Sequence, residues 1–539
     1  MQKKYEASYS RYVYRKPKTY WSSDEEVKGR LKKVDLSEET IDAGGLPIIS
    51  DGKIAYIDAG DSHTIIEAIS GMKKSICVFM VIIYILGKAG ENMVITDPKG
   101  ELYARLSGFL KSKGYKIPCL DFRTMDKDGY NILSYPARVY RSGDKNKGML
   151  MLNDLVNVLA EKQRESCKDV FWPDTGAMWK NGTGHIMFES YPSLEKINIC
   201  NWAEYDVYEN MQILREFIPE IKANNTTMTQ LKDVLTSAEN TLRSILITAS
   251  SFLAPFIQND SLAQMLSHST FDLEELCDDK TALFIITDDT TTTCDAIVGI
   301  IISQIQSFLV DRSYESKSGA LEKRMNFVLD EFTSYPLPNI GKALATHRSR
   351  NLRYFLCLQS ISALKHRYKD YEAILANCGN SLFLGSTEKE LLEHVSEQCG
   401  KTNITYDGKE RPLISTAELM SLRKSWEQKE GIFLSLSDSL RYCTSLPSIE
   451  AYGLEEYDVP SSKVEHPEVQ YYGIVDLIRD INNGKAKMPF RVDEDILKKN
   501  DVEEIDKDEL DEEFDYDLQK ELEEKFNELF GPIDSDDEQ

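Results

Sequence analysis

Two adjacent carboxylates, Asp330 and Glu331, follow the run Met325-Asn326-Phe327-Val328-Leu329, which is apolar and too short for a helix. Such a run reads as a buried parallel strand whose carboxyl end delivers the acid pair to a crevice. The chemistry open to the pair is a division of labour. The first acid holds Mg²⁺, usually through the ion's water shell, and the second polarises an attacking water. This is the form of a Walker B strand. The same residues also fit a strand that merely ends in an Asp-Glu turn, so the pair gains meaning only with a phosphate cradle upstream.

The candidate cradle is Ala68-Ile69-Ser70-Gly71-Met72-Lys73-Lys74-Ser75, between a strand at 63–67 and the apolar run Ile76 to Leu86. Position and length match the P-loop pattern G-x-x-x-x-G-K-[ST], with Lys74 and Ser75 as its last two residues. Both signature glycines are replaced, by Ala68 and Lys73. Glycines in such a loop supply positive φ and let the backbone approach phosphate closely. A non-glycine residue held in the left-handed conformation loses roughly 1–2 kcal/mol. Lys73 would add a second cation near the phosphates without restoring the backbone nest. Weak or absent ATP turnover is therefore a standing alternative.

The elements that must position these groups follow from periodicity. Strands are expected at 53–58, 63–67, 93–97, 281–287, 325–329, 353–358, 381–384 and 431–436, with helices between them. From about Lys147 to His268 the apolar residues recur at three- and four-residue spacing, the mark of a helical block. Strand–helix alternation interrupted by one helical insert predicts an α/β fold with a doubly wound, mainly parallel sheet. The domains expected are a basic arm and lead-in at 1–50, a nucleotide-binding domain at 51–146 and 275–455, an all-helical insert at 147–274, and an extension with an acidic tail at 456–539.

A chain of 539 residues with 41% hydrophobic content can bury a substantial core over two to four domains. Its net charge of -25 is concentrated at one end, because residues 501–539 hold 19 acidic and 3 basic side chains. Ten cysteines without a C-x-x-C pair fit a reducing compartment and argue against a disulfide framework. Seven histidines without paired spacing make protein-bound zinc an unattractive reading. The longest apolar run has 11 residues, against the roughly 20 that a spanning helix needs. The chain is thus expected not to cross a bilayer by itself.

Taken in order, several blocks resemble the coupling-protein ATPases of conjugative type IV secretion, the TraG/TraD family. They are Val94 to Leu102 with its Asp97-Pro98-Lys99-Gly100-Glu101 core, the Phe171-Trp172 region, Leu329-Asp330-Glu331-Phe332, Ala345 to Arg350, Leu358-Gln359-Ser360, and Asn377 to Gly385. The resemblance covers about residues 45 to 440. It implies a RecA-like P-loop NTPase domain using ATP and Mg²⁺, a helical domain that helps receive substrate, and a homo-hexamer at the cytoplasmic face of the membrane. The implied partners are relaxase or relaxosome proteins, type IV secretion channel proteins and single-stranded DNA. By position, Lys74 would contact the β- and γ-phosphates, Ser75 and Asp330 would serve Mg²⁺, and Glu331 would activate water. Gln359 could sense the γ-phosphate or simply cap a turn. Arg348 or Arg350 could act as a finger across a subunit interface or be a surface arginine. An FtsK-like DNA pump shares the fold, as does a platform of the same fold without ATPase activity.

Family members usually start with membrane-spanning helices, which are not found in this sequence. The arm at 1–21 carries six bases against Glu6, interleaved with five tyrosines and Trp21, and suits a membrane surface or nucleic acid, or else a solvated flexible arm. In the tail, Leu518, Leu522, Phe526, Leu529 and Phe530 share one helical face flanked by acids. That arrangement suits folding on a basic protein partner, or docking back on the body.

Overall fold

The computed structural model describes residues 19–217, 226–288, 290–402, 410–425, 427–460 and 463–487. Most of the basic arm and all of the acidic tail lie outside the described residues, which belong to one compact unit within residues 1–489.

A three-stranded antiparallel sheet comes first, formed by β1 (Lys32–Asp35), β2 (Leu46–Ser50) and β3 (Ile54–Asp58) in the order β1-β3-β2. The main sheet takes β4 (Thr64–Ala68), β5 (Asn92–Asp97), β6 (Cys119–Asp121), β7 (Ala282–Ile286), β8 (Met325–Leu329), β9 (Leu352–Leu358) and β10 (Asn380–Gly385). A two-residue pair, β11 (Lys401–Thr402) with β12 (Arg411–Pro412), stands apart from it. The hairpin β13 (Gln428–Ser435) and β14 (Leu440–Pro447) completes nine strands in the order β14-β13-β10-β4-β9-β8-β5-β7-β6. Neighbours from β10 to β6 pair in parallel, and the hairpin adds antiparallel at the β10 edge.

Every residue of β4, β5, β7, β8, β9 and β10 is buried. Helices cover both faces of such a sheet, which is why these strands read as continuous apolar runs rather than alternating ones. The edge strand β14 does alternate. The apolar run after the cradle is helical, a π turn at Ser75–Phe79 continuing as an α-helix at Met80–Ala89 that stops at Gly90 with φ 73°. Gly90 is the left-handed residue that commonly ends a helix.

One buried acid stands at the edge of the cradle. Glu67, the penultimate residue of β4, is fully buried; its Oε2 accepts from Ser381 Oγ at 2.8 Å, and its Oε1 has no hydrogen-bond partner among the described residues. Burial pushes its pKa up from 4.5 to about 7, against the lowering effect of the Ser381 hydroxyl. The folded protein therefore holds this proton where the unfolded chain releases it, and stability falls as pH rises through that window. The difference amounts to about 3 kcal/mol between the two plateaus. Glu67→Gln is expected to remove most of that loss, so its unfolding midpoint should exceed the parent's at pH 8 and approach it at pH 5. Parallel pH curves for the two proteins would refute this.

Between β6 and β7 the described residues are helical. The helix Phe171–Ser190 packs against Lys145–Ser166, Thr226–Thr236 and Glu239–Ile257, while Tyr208–Phe217 packs on the turn Glu204–Asp206. Their centre is a buried ion pair. Lys180 Nζ donates to Asp206 Oδ2 at 2.5 Å, Trp179 Nε1 donates to Asp206 Oδ1 at 2.9 Å, and the ammonium lies 5.0 Å from the Trp202 ring centroid. Burial lowers the Lys180 pKa and raises that of Asp206, and the mutual attraction opposes both shifts.

The segment after β14 crosses from the sheet to this helical block. Tyr457 and Asp458 occupy the space a side chain at Gly108 would need, and Tyr103 Oη donates to Pro460 O at 3.3 Å. Asn201 then clamps this segment through Gln470 O at 2.9 Å and Tyr472 N at 3.0 Å. The helix Ile474–Asn482 finishes against Tyr208–Phe217. No helix among the described residues is long and apolar enough to cross a membrane.

Candidate nucleotide site

Parallel pairing aligns the carboxyl ends of β4, β9, β8 and β5, in that order, along one edge of the sheet. A crevice at such an edge is where open α/β sheets bind ligands. Here it is a cavity of about 230 Å³ whose lining includes Gly71, Lys74, Ser75, Asp97, Asp330 and Glu331.

The loop after β4 is tied at several points. Ile69 N donates to Gly385 O at 3.2 Å, Cys77 N donates to Lys73 O at 3.0 Å, and Lys424 Nζ reaches Gly71 O at 3.4 Å. Its left-handed residues are Gly71, with φ 81°, and Lys73, with φ 61°. Lys73 thus takes the strained conformation expected of a residue replacing glycine. Ala68 does not, since it is the buried last residue of β4 and is absent from the left-handed set. The first glycine position of the motif therefore carries no backbone strain in this chain.

The loop delivers Lys74 to the acid pair. Lys74 Nζ donates to Asp330 Oδ1 at 2.5 Å, with both side chains about nine-tenths buried, and Cys357 Sγ is 3.6 Å from the ammonium. Burial alone would lower the Lys74 pKa, but the surroundings contributed by Cys357, Asp330 and Glu331 outweigh it, and the net shift is upward. Lys74 is a firm cation, placed where phosphate charge would replace or share its carboxylate partner.

Asp330 Oδ1 also accepts from Glu331 N at 2.9 Å, while Thr96 Oγ1 donates to Asp330 O at 2.8 Å. These contacts hold Glu331 at a left-handed φ of 54°. A non-glycine residue in that region is costly, and such strain tends to gather at functional sites. Gln359, the first residue after β9, donates from Nε2 to Glu331 Oε1 at 3.3 Å. Lys74, Ser75, Asp330, Glu331 and Gln359 are thus brought together. The Ser75 hydroxyl and the Asp330 carboxylate are hard oxygen donors, of the type that suits Mg²⁺.

Arg348 is not brought there. It forms a 3.0 Å ion pair with Asp61, ahead of β4, and precedes β9, so it lies at the opposite edge of the sheet. Arg350 caps Thr346 O and stacks on Tyr314 at that same edge. Neither can reach its own chain's crevice; any role of Arg348 toward phosphate would have to be played in another subunit.

Two residues near the acids carry no role in the sequence reading. Asp97, the last residue of β5, lines the cavity beside Asp330, and its Oδ2 accepts from Tyr103 N at 2.8 Å, capping the helix Glu101–Ser112. Burial pushes its pKa up to about 6, against the backbone donors of Tyr103 and Leu102. The logic that selects Asp330, an acid ending an apolar strand, applies equally to Asp97. Arg367 is the other. It donates from Nε to Thr333 O at 3.3 Å, two residues past Glu331, and no local pattern marks it.

A mainly parallel sheet with this loop and acid pair defines a RecA-like P-loop fold with a helical insert. Residues 15–441 match the family described as Type IV secretory system Conjugative DNA transfer, and the chain belongs to that family. Among solved structures it resembles the bacterial conjugative coupling protein TrwBdeltaN70 in its trigonal form with sulphate. That pair is 15% identical with a TM-score of 0.56, covering 84% of this chain and 97% of the other. The plasmid coupling protein TrwB in complex with the ATP analogue ADPNP is 16% identical, with a TM-score of 0.55 over 83% of this chain and 96% of that one. TrwB with ADP and Mg²⁺ gives 16% and 0.54, over 82% and 95%. At these identities the likeness is one of fold. No curated protein sequence matches the chain.

Proposed function

We propose that this chain is a coupling protein that binds ATP with Mg²⁺ in the β4–β9–β8–β5 crevice and uses its hydrolysis to pass relaxase-bound DNA, or protein, to a conjugative channel. The observation that carries the reading is the convergence of Lys74, Ser75, Asp330 and Glu331 on one cavity, with Gln359 bonded to Glu331 behind it. Lys74 would hold the β- and γ-phosphates, and Ser75 and Asp330 would hold Mg²⁺. The ion would screen phosphate charge, while Glu331 would draw a proton from the attacking water and Gln359 would orient Glu331. The complexes of TrwB with ADPNP and with ADP and Mg²⁺ support the choice of ligand. A homo-hexamer at the cytoplasmic membrane face, serving secretion-channel proteins, is the assembly proposed with it; there Arg348 could act across a subunit boundary.

A second reading is a substrate-receptor platform without turnover. It is favoured by Lys73, whose left-handed backbone carries a full side chain where a phosphate cradle needs glycine. Titration with a fluorescent ATP analogue and Mg²⁺ addresses both readings. Binding is expected in the parent and should be lost in Lys74→Ala. Lys73→Gly should bind at least as tightly and should raise folding stability by roughly 1 kcal/mol, since the folded loop carries the strain whether or not a ligand is bound. Ala68→Gly should bring no gain. Absence of binding in both parent and Lys73→Gly would overturn the nucleotide reading; binding without hydrolysis would select the platform.

A further inference from the structure

Arg367 joins the acid pair to the helical block, and nothing in the proposed chemistry uses it. It ends the helix Ile361–Arg367, which begins two residues after Gln359. Its Nε donates to Thr333 O in the turn Phe332–Ser334 that follows Glu331. Its Nη1 lies 3.6 Å from Glu161 Oε2, on the helix Lys145–Ser166. The next residue fastens the same turn, because the Tyr368 ring stacks on Phe332 with centroids 5.1 Å apart and Tyr368 Oη donates to Tyr335 O at 2.5 Å. Between Asp295 and this guanidinium the charges also couple: burial pushes the Asp295 carboxyl up to about 6, Arg367 lowers it and Glu331 raises it.

Around this contact the helical block and the sheet do not close on each other. A cavity of about 470 Å³ separates them, lined by Asp154, Asn157 and Glu161 on one side and by Pro336, Arg367 and Tyr368 on the other. A charged link across a void can change partners at little steric expense, whereas a close-packed contact cannot.

We propose that the Thr333–Arg367–Glu161 link couples the occupancy of the nucleotide crevice to the helical block, with Arg367 as a positioning residue. The inference rests on the crevice being a nucleotide site. Asp330 Oδ1 accepts at once from Lys74 Nζ and from Glu331 N. A phosphate group that draws Lys74 away removes one of the two donors on Asp330 Oδ1, which frees the carboxylate to turn and alters the hydrogen bond that holds Glu331 in its left-handed conformation. Relaxation of the strained Glu331 backbone then shifts the Phe332–Ser334 turn that follows it. Thr333 O carries the shift to Arg367, and Arg367 carries it to Glu161.

Hydrogen exchange of residues 145–166, measured with and without a non-hydrolysable ATP analogue and Mg²⁺, tests the link. In the parent, the analogue is expected to change exchange in this helix at least threefold. Arg367→Gln and Glu161→Gln should each bind the analogue within about twofold of the parent yet lose that response. The double variant should lose no more than either single one, because the residues form a single link. If the parent does not take up the analogue, the nucleotide reading fails and takes the inference with it. If the analogue binds but residues 145–166 do not respond, or respond equally in the variants, the inference alone is overturned.

Discussion

Glu331→Gln is expected to lower ATP hydrolysis by a factor on the order of 10²–10⁴, the usual contribution of a positioned general base, while leaving ATP binding within about twofold. The amide keeps the shape of the side chain and can still meet Gln359, which now donates to Glu331 Oε1. What it cannot do is take a proton from water. Asp330→Asn should behave differently. Its carboxylate is the partner of both Lys74 Nζ and Glu331 N, so its loss should weaken Mg²⁺-dependent binding as well as turnover. The two variants are separated by comparing analogue affinity with and without Mg²⁺ alongside steady-state hydrolysis. Unchanged hydrolysis in Glu331→Gln would show that the carboxylate is not the base and that the acid pair has been misassigned.

The largest effect on stability is expected far from the crevice. Lys180→Ala should destabilise the fold by about 3–5 kcal/mol, the usual consequence of leaving one member of a buried ion pair uncompensated. Asp206 is 4% exposed through its side chain and, among the described residues, would keep only the Trp179 indole as a donor. Replacing both partners, as Lys180→Met with Asp206→Leu, should recover much of that loss, because no charge remains to be desolvated. Urea unfolding of the three proteins reads the effect directly. A loss below about 1 kcal/mol in Lys180→Ala would mean that water reaches Asp206 once the lysine is removed.

Much of the crevice was legible in the residues because its parts sit on sharp local signals. An apolar run ending in Asp330-Glu331 marks a strand end whatever surrounds it, and Lys74-Ser75 marks the end of a cradle even without its glycines. Cys119, Leu120 and Asp121 were harder: β6 has three residues and forms only as the edge partner of β7. The antiparallel hairpin β13–β14 was half seen, since Gly431 to Leu436 is apolar while β14 alternates as an edge strand should.

Lys73 shows where sequence and structure meet. That a residue in a glycine position would be strained follows from its side chain, but which of the two positions bears the strain depends on the path of the loop. The structure assigns it to Lys73 and relieves Ala68, which β4 absorbs as an ordinary strand residue while the next residue, Ile69, donates its N–H to Gly385 O. Arg348 shows the reverse. Its surroundings resemble a family block, yet parallel pairing of β9 with β4 places the residue before β9 at the edge away from the crevice. A strand has two ends, and a one-dimensional pattern does not say to which end a flanking charge is carried.

By itself, then, the sequence determined the parallel α/β class, the helical insert and the chemical types at the crevice, because burial, strand length and acid placement are properties of neighbouring residues. Only the tertiary structure decided that Lys74 pairs with Asp330 across 256 positions of chain, and that Gln359 meets Glu331. It alone put Arg367 between Thr333 and Glu161. Such contacts depend on the order in which strands lie side by side. That order is set by the closing of long loops and the packing of helices over the whole sheet, and no short stretch of residues carries the information.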